Sequence, residues 1–222
     1  MKTMKAKNKG FTLVELIVVL VILAILAAIL IPALLGFIDR AREKKDINMA
    51  KAYLDASQAM LADLYGKSPN TDNGCVIPES SPAVKVDSGT KGDVDARNSK
   101  FAKRVFDLVS ADKEPYVFMF ACGNAKTASL KTEEHDKYTV YYALYMRDEN
   151  SVPLYFYDGT WTKVNPSLDS LSKKSIDNNK NNKYVYNGKT LYLQYYILGK
   201  AGNKTVGNYW TWLKNDVAKR WK

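Results

Sequence analysis

Residues 10–38 read GFTLVELIVVLVILAILAAILIPALLGFI, and this stretch decides the architecture. Glu15 is its only charge. From Leu16 to Leu35 run twenty uncharged residues, nearly all Leu, Ile, Val or Ala. About 20 residues rising ~1.5 Å each match the hydrocarbon thickness of a bilayer, so a membrane-spanning helix is expected here. Pro32 removes one backbone hydrogen bond from that helix and Gly36 weakens the following turn. The pair is a candidate helix kink.

Working outward, the preceding residues MKTMKAKNKG carry Lys2, Lys5, Lys7 and Lys9. An ordinary secretory signal has its small-residue cut site after the apolar region. Here Gly10 comes before it, so a cut after Gly10 leaves the apolar helix on the mature protein. The lysines hold the leader on the cytoplasmic side. Glu15 is the oddity, because a carboxylate at the membrane edge is costly and by default a functional candidate. A favourable helix N-terminus or a headgroup-level position would each ease that cost. Neither accounts for its place just beyond Gly10. With Phe11 as the new N-terminus, an ammonium and a carboxylate open the same apolar helix. Helices packed side by side would pair each carboxylate with a neighbour's ammonium, since an unpaired charge in low dielectric is expensive.

The segment Gly10-Phe11-Thr12-Leu13-Val14-Glu15-Leu16, followed by the apolar run and Pro32, resembles the class III signal of type IV pilins and pseudopilins. The likeness covers roughly the first 65 residues. It implies cleavage between Gly10 and Phe11 by a membrane prepilin peptidase, N-methylation of Phe11, an assembly role for Glu15 and a kink at Pro32. It also implies partners: an assembly ATPase with its membrane platform, and further pilin subunits in a homopolymer. The expected location is the plasma membrane as a single-pass precursor, then an extracellular pilus.

Towards the C-terminus, the charged cluster DRAREKKD at 39–46 marks an exit into water. Ile47, Ala50, Leu54, Leu61 and Leu64 then recur on one helical face, and Gly66 stops the pattern. A helix over 11–65 would run about 80 Å. Residues 66–98, rich in Ser, Pro, Asp, Asn, Gly and Lys, read as a loop. Asn98–Ser110 reads as a short helix with Phe101, Val105, Leu108 and Val109 at helical spacing, capped by Ser99 or Asn98.

Beyond it, strands are expected at Tyr116–Cys122 and at Tyr138–Arg147, the latter with Tyr138, Val140, Tyr142, Leu144 and Met146 on one side. Asp158-Gly159 and Asn187-Gly188 each sit between strand-like runs and signal hairpins. Residues 172–183 read as a loop. In the tail, Trp210, Leu213, Val217 and Trp221 share one helical stripe. The expected class is α+β, a long N-terminal α-helix packed on an antiparallel β-sheet. Its parts are a leader at 1–10, a transmembrane or filament-core helix at 11–38, an amphipathic continuation at 39–65 and a globular head at 66–222.

The formal charge of +10 falls once the leader is removed, leaving 29 Lys and Arg against 23 Asp and Glu. A residual charge near +6 with 15 tyrosines and four tryptophans is compatible with nucleic-acid binding. Solvated lysines and cross-strand aromatic packing are the readings preferred to it. Cys75 and Cys122 form a possible disulfide closing a 48-residue loop, or are two buried thiols. With the lone His135 they make no four-ligand zinc site. Asp169 and Asp177 in the Asn-rich tract lack the calcium-loop pattern of an EF-hand. There is no Walker loop, GxGxxG or HExxH. No metal, cofactor or catalytic group is expected. A structural filament subunit is the first expectation, a minor pilin or pseudopilin in secretion or DNA uptake the second, and a membrane-tethered enzyme or solute-binding domain the third.

Overall fold

The computed structural model describes residues 10–67, 76–77, 94–97, 99–123, 134–163, 183–186 and 189–199. Helix α1 runs Leu13–Gly66 with Pro32 inside it. Strand β1 (Val94–Asp95) and helix α2 (Lys100–Val109) follow. Then come β2 (Val117–Gly123), a 3-10 turn (Glu134–Tyr138), β3 (Val140–Met146), β4 (Leu154–Tyr157), β5 (Thr160–Thr162), β6 (Lys183–Tyr186) and β7 (Lys189–Ile197). The order across the sheet is β1-β7-β2-β3-β4-β5, with β6 paired to β7. The class is α+β, a long helix with a largely antiparallel sheet. The chain divides into two compact units, Met1–Lys45 and Asp46–Lys222, each described by itself.

The head is built around helix residues 46–66. Ala50, Tyr53, Ala56, Ser57 and Leu61 are buried, flanked by half-buried Ile47, Leu54 and Leu64. Tyr53 stacks on Tyr145 at 5.8 Å and meets Phe118 and Phe106 at 5.1 and 5.8 Å. Its size makes it the pivot of this core. Gln58 fastens the helix to the sheet. Its Nε2 donates to the Tyr138 carbonyl at 2.7 Å, and its Oε1 accepts from the Val140 N–H at 2.9 Å. One amide thus satisfies two backbone groups where β3 begins.

The segment read as a loop at 66–98 carries more structure than expected. β1 pairs parallel with β7 through Val94↔Tyr196 and Asp95↔Ile197. Val76 and Ile77 are buried in the helix-facing core, and the Val76 N–H donates to the Tyr196 hydroxyl at 3.3 Å. Polar composition hid these few apolar residues. Ser99 caps α2 by accepting from the Ala102 N–H at 3.0 Å. Phe101, Ala102 and Val105 face inward, whereas Leu108 is exposed.

The expected single face of Tyr138, Val140, Tyr142, Leu144 and Met146 is corrected. Ala121 pairs with Tyr142 but Cys122 pairs with Val140, so a register irregularity intervenes. One extra residue reverses the alternation. Tyr138 and Val140 therefore join the helix-facing core, while Tyr142, Leu144 and Met146 lie on the other face. The Asp158-Gly159 hairpin forms as read, with φ of 48° and 76° at its two central residues, as a primed turn requires. β6 and β7 pair antiparallel about the second hairpin, with Tyr186 opposite Lys189. The expected 172–183 loop, apart from Lys183, and the tail helix lie outside the described residues.

Candidate functional site: the head of the apolar helix

Thr12 has no helical conformation and Leu13 is the first residue of α1, so Thr12 occupies the N-cap. Glu15 stands three residues on. Its Oε2 accepts from the Thr12 N–H and from the Thr12 hydroxyl, both at 2.8 Å. The Glu15 N–H donates back to Thr12 Oγ1 at 3.3 Å. This is a reciprocal capping box, the T-x-x-E arrangement that satisfies donors the first helical turn leaves open. All of these bonds to the carboxylate use Oε2, so Oε1 lies outside the box. Thr12, to which the charge of Glu15 alone does not point, is legible in the sequence through the T-x-x-E spacing.

Phe11, immediately before the cap, is 87 % exposed, so the backbone at the expected cut is open. A Cβ built on Gly10 would meet nothing within 4 Å. Among the described residues, packing does not demand glycine there.

Every large apolar side chain from Leu13 to Phe37 is exposed, Val19 least at 48 %. Fully burying such a side chain is worth roughly 1.5–3 kcal/mol. A surface of this size belongs in lipid or against other helices. The helix is long and apolar enough to cross a membrane. Pro32 sits inside it, and its missing N–H leaves the Ala28 carbonyl without the usual helical donor. The Gly36 carbonyl accepts from Arg40 Nε at 3.0 Å, so the guanidinium folds back along the helix.

The remaining sequence candidates stand apart from this site. Cys122 is fully buried on the helix-facing side of β2, and Cys75 lies outside the described residues, as does any bridge between them. His135 is exposed, with Nε2 3.2 Å from the buried Asp136 carboxylate, which also accepts from the Tyr141 hydroxyl at 2.6 Å. Among the described residues no group of three His, Cys, Asp or Glu is placed to hold a metal. Asp169 and Asp177 lie outside them.

A family model described as the prokaryotic N-terminal methylation motif matches residues 5–31. No curated protein and no solved structure matches the chain. The matched residues are the class III prepilin signal of type IV pilins. They take in Gly10, Phe11, the Thr12–Glu15 box and most of the exposed apolar helix.

Proposed function

We propose that this pilin-like prepilin is a structural subunit of a type IV pilus, cut between Gly10 and Phe11, N-methylated on Phe11 and assembled from the plasma membrane into an extracellular filament. The observation that carries the proposal is the Thr12–Glu15 box at the head of a wholly exposed apolar helix. Thr12 holds one carboxylate oxygen. The other is left to accept the Phe11 ammonium of an adjacent subunit, and that pairing sets the stagger between helices. The apolar helix is stable in lipid before assembly and among other helices after it. Pro32 and Gly36 supply a kink or joint for the passage between the two.

The partners this reading requires are prepilin peptidase, an assembly ATPase with its membrane platform, and other copies of the chain. Adhesion, aggregation or twitching would then be tasks of the heads on the filament. No catalytic step is assigned. A second role in the same class, a minor pilin or pseudopilin of a secretion or DNA-uptake system, uses the same N-terminal devices. Immunogold electron microscopy of surface fibres decides between them. Label along the whole fibre supports the major subunit. Label confined to tips, or fibres unaltered in cells lacking this chain, refutes it.

A further inference from the structure

Helix α1 leaves its apolar stretch at Ile38 and carries Asp39-Arg40-Ala41-Arg42-Glu43-Lys44-Lys45 to the end of the first compact unit. At about 100° per residue, positions three and four apart share a face. Here the four-residue spacings join like charges, Asp39 with Glu43 and Arg40 with Lys44. Like charges at that spacing destabilise a helix, whereas opposite charges support it. The two acids therefore form one narrow strip, and Arg40, Lys44, Lys45 and Arg42 are spread over the rest of the circumference.

Asp39 and Arg42 are 3.8 Å apart with side chains 76 % and 67 % exposed, so water screens their attraction. Arg40 turns back to the Gly36 carbonyl. Lys44 and Lys45 are exposed, and among the described residues no carboxylate lies within ion-pair distance of either. A helix that groups like charges instead of pairing opposite ones has opposite charge to gain from outside. Anionic headgroups at the membrane surface would attract the cations, but Asp39 is the first charge beyond the apolar run and would be repelled. A second copy of the chain offers both signs. On the filament reading, on which this inference rests, pairing Glu15 with a neighbour's Phe11 offsets parallel helices by four residues, about 6 Å. The same offset puts Asp39 of one copy one residue from the level of Lys44 in the next.

We propose that Asp39 of one subunit pairs with Lys44 of its neighbour, a second ionic contact where the helix leaves its apolar stretch. The two contacts run in opposite senses: the copy that gives its Glu15 carboxylate at one end receives the Asp39 carboxylate at the other. Pro32 and Gly36 lie between them, so the first contact alone does not fix the register of the helix beyond that joint. The second contact does.

The test expresses full-length variants in cells lacking the unaltered chain and counts immunogold-labelled filaments per amount of mature chain. The mass of the mature chain and its melting curve check that processing and folding are unchanged. Asp39→Lys and Lys44→Glu each set like charges together at every subunit contact and should lose most of the filaments. The double variant Asp39→Lys with Lys44→Glu reverses both partners and should restore them, and Lys44→Arg should keep them. Full filament yield from either single reversal overturns the proposal. So does a double variant as defective as the singles. Headgroups as the partner would make Lys44→Glu fail and leave Asp39→Lys intact, a pattern that also overturns it. In each of these cases the unaltered chain still forms labelled filaments that Glu15→Ala abolishes, so the filament reading stands. Unlabelled fibres from the unaltered chain would defeat both.

Discussion

Arg147 reaches Asp46 across 101 residues of sequence, its Nη1 lying 2.9 Å from Oδ1 and 3.2 Å from Oδ2. Its Nε also donates to Asp148 Oδ2 at 2.9 Å. One guanidinium thus ties the first residue of the head unit, on α1, to the end of β3. Asp46 is largely shielded while Arg147 is 39 % exposed, so solvent screens much of the attraction. Arg147→Ala should lower head stability by about 1 kcal/mol. Asp46→Asn should have a smaller effect in the same direction. Urea unfolding of the full chain in micelles checks this, and an unchanged midpoint for Arg147→Ala would refute it.

Asp148 gives the same corner a pH dependence. Burial works to raise its carboxyl, but the hydrogen bonds from Arg147 and from the N–H groups of Asn150 and Ser151 prevail and hold it below the ordinary value of 3.8. A lowered folded-state pKa contributes stability above the unfolded value, and that stability is lost as pH falls through the folded value. The stability of the wild type should therefore decline below about pH 4 more steeply than that of Asp148→Asn. Parallel acid titrations followed by circular dichroism would contradict the assignment if the two curves coincided.

Gln58 offers a sharper test of how α1 is fixed to the sheet. Removing its amide leaves the Tyr138 carbonyl and the Val140 N–H, both partly shielded, without their partner. Gln58→Ala should cost about 1–3 kcal/mol. Gln58→Glu keeps the acceptor for Val140 but loses the donor to Tyr138, so it should remain destabilising despite its equal size. Thermal melts that rank the Gln58→Glu variant with the wild type would count against the clamp.

Tyr53 makes the opposite prediction for its hydroxyl. The ring is 1 % exposed, and its Oη has no hydrogen-bond partner among the described residues. Burial first, and Glu114 second, push its phenol up to about 12, so it stays neutral in ordinary buffers. Tyr53→Phe should be neutral or slightly stabilising. Tyr53→Ala should cost about 3–5 kcal/mol as the Phe106, Phe118 and Tyr145 contacts are lost. A clear loss of stability in Tyr53→Phe would reveal a partner for the hydroxyl.

At the end of β7 the backbone itself is crowded. The N–H groups of Leu198 and Gly199 both donate to the Phe118 carbonyl at 2.9 Å. A Cβ on Gly199 would collide with the Phe118 backbone nitrogen. Gly199→Ala must therefore displace main chain rather than a side-chain tip, and should reduce the soluble yield and thermal midpoint of the full chain. Gly36→Ala, where a Cβ meets nothing within 4 Å, is the control expected to preserve both.

On the proposed function, variants at the N-terminal site should separate assembly from folding. Glu15→Ala should leave head stability unchanged and abolish normal filaments, while Thr12→Val, which removes the hydroxyl of the box, should weaken the cap by about 1 kcal/mol. Filament counts by electron microscopy and head melting curves read the two effects apart. Mass spectrometry of the mature chain should begin at Phe11 with an added methyl. Normal filaments from Glu15→Ala would dispose of the pairing proposal.

Much of this arrangement was legible from local patterns. The stretch 10–38 left no alternative to an apolar helix, because it offers no polar face and no alternation. Gly66 marked the end of α1, Ser99 the cap of α2, and Asp158-Gly159 a primed turn whose positive φ values its residues tolerate. The Thr12–Glu15 box was equally local and would have followed from the T-x-x-E spacing. The reading failed where β3 carries one extra residue, Tyr141, which the register with β2 skips. The irregularity at Ala121 and Cys122 turns Tyr138 and Val140 to the opposite face from Tyr142, and period-two counting along β3 alone cannot detect it.

The sequence by itself determined the prepilin signal, the apolar helix and the residues at its head, since each depends on neighbours within about one helical turn or one membrane thickness. Only the tertiary structure decided that Val76 and Ile77 enter the core, that β1 pairs parallel with β7, that Gln58 caps the start of β3, and that Asp46 meets Arg147. Those contacts join residues far apart in the chain. Which of many similar polar or apolar residues makes them is settled by how the sheet and the helix pack together, and that competition leaves no mark in a local window of sequence.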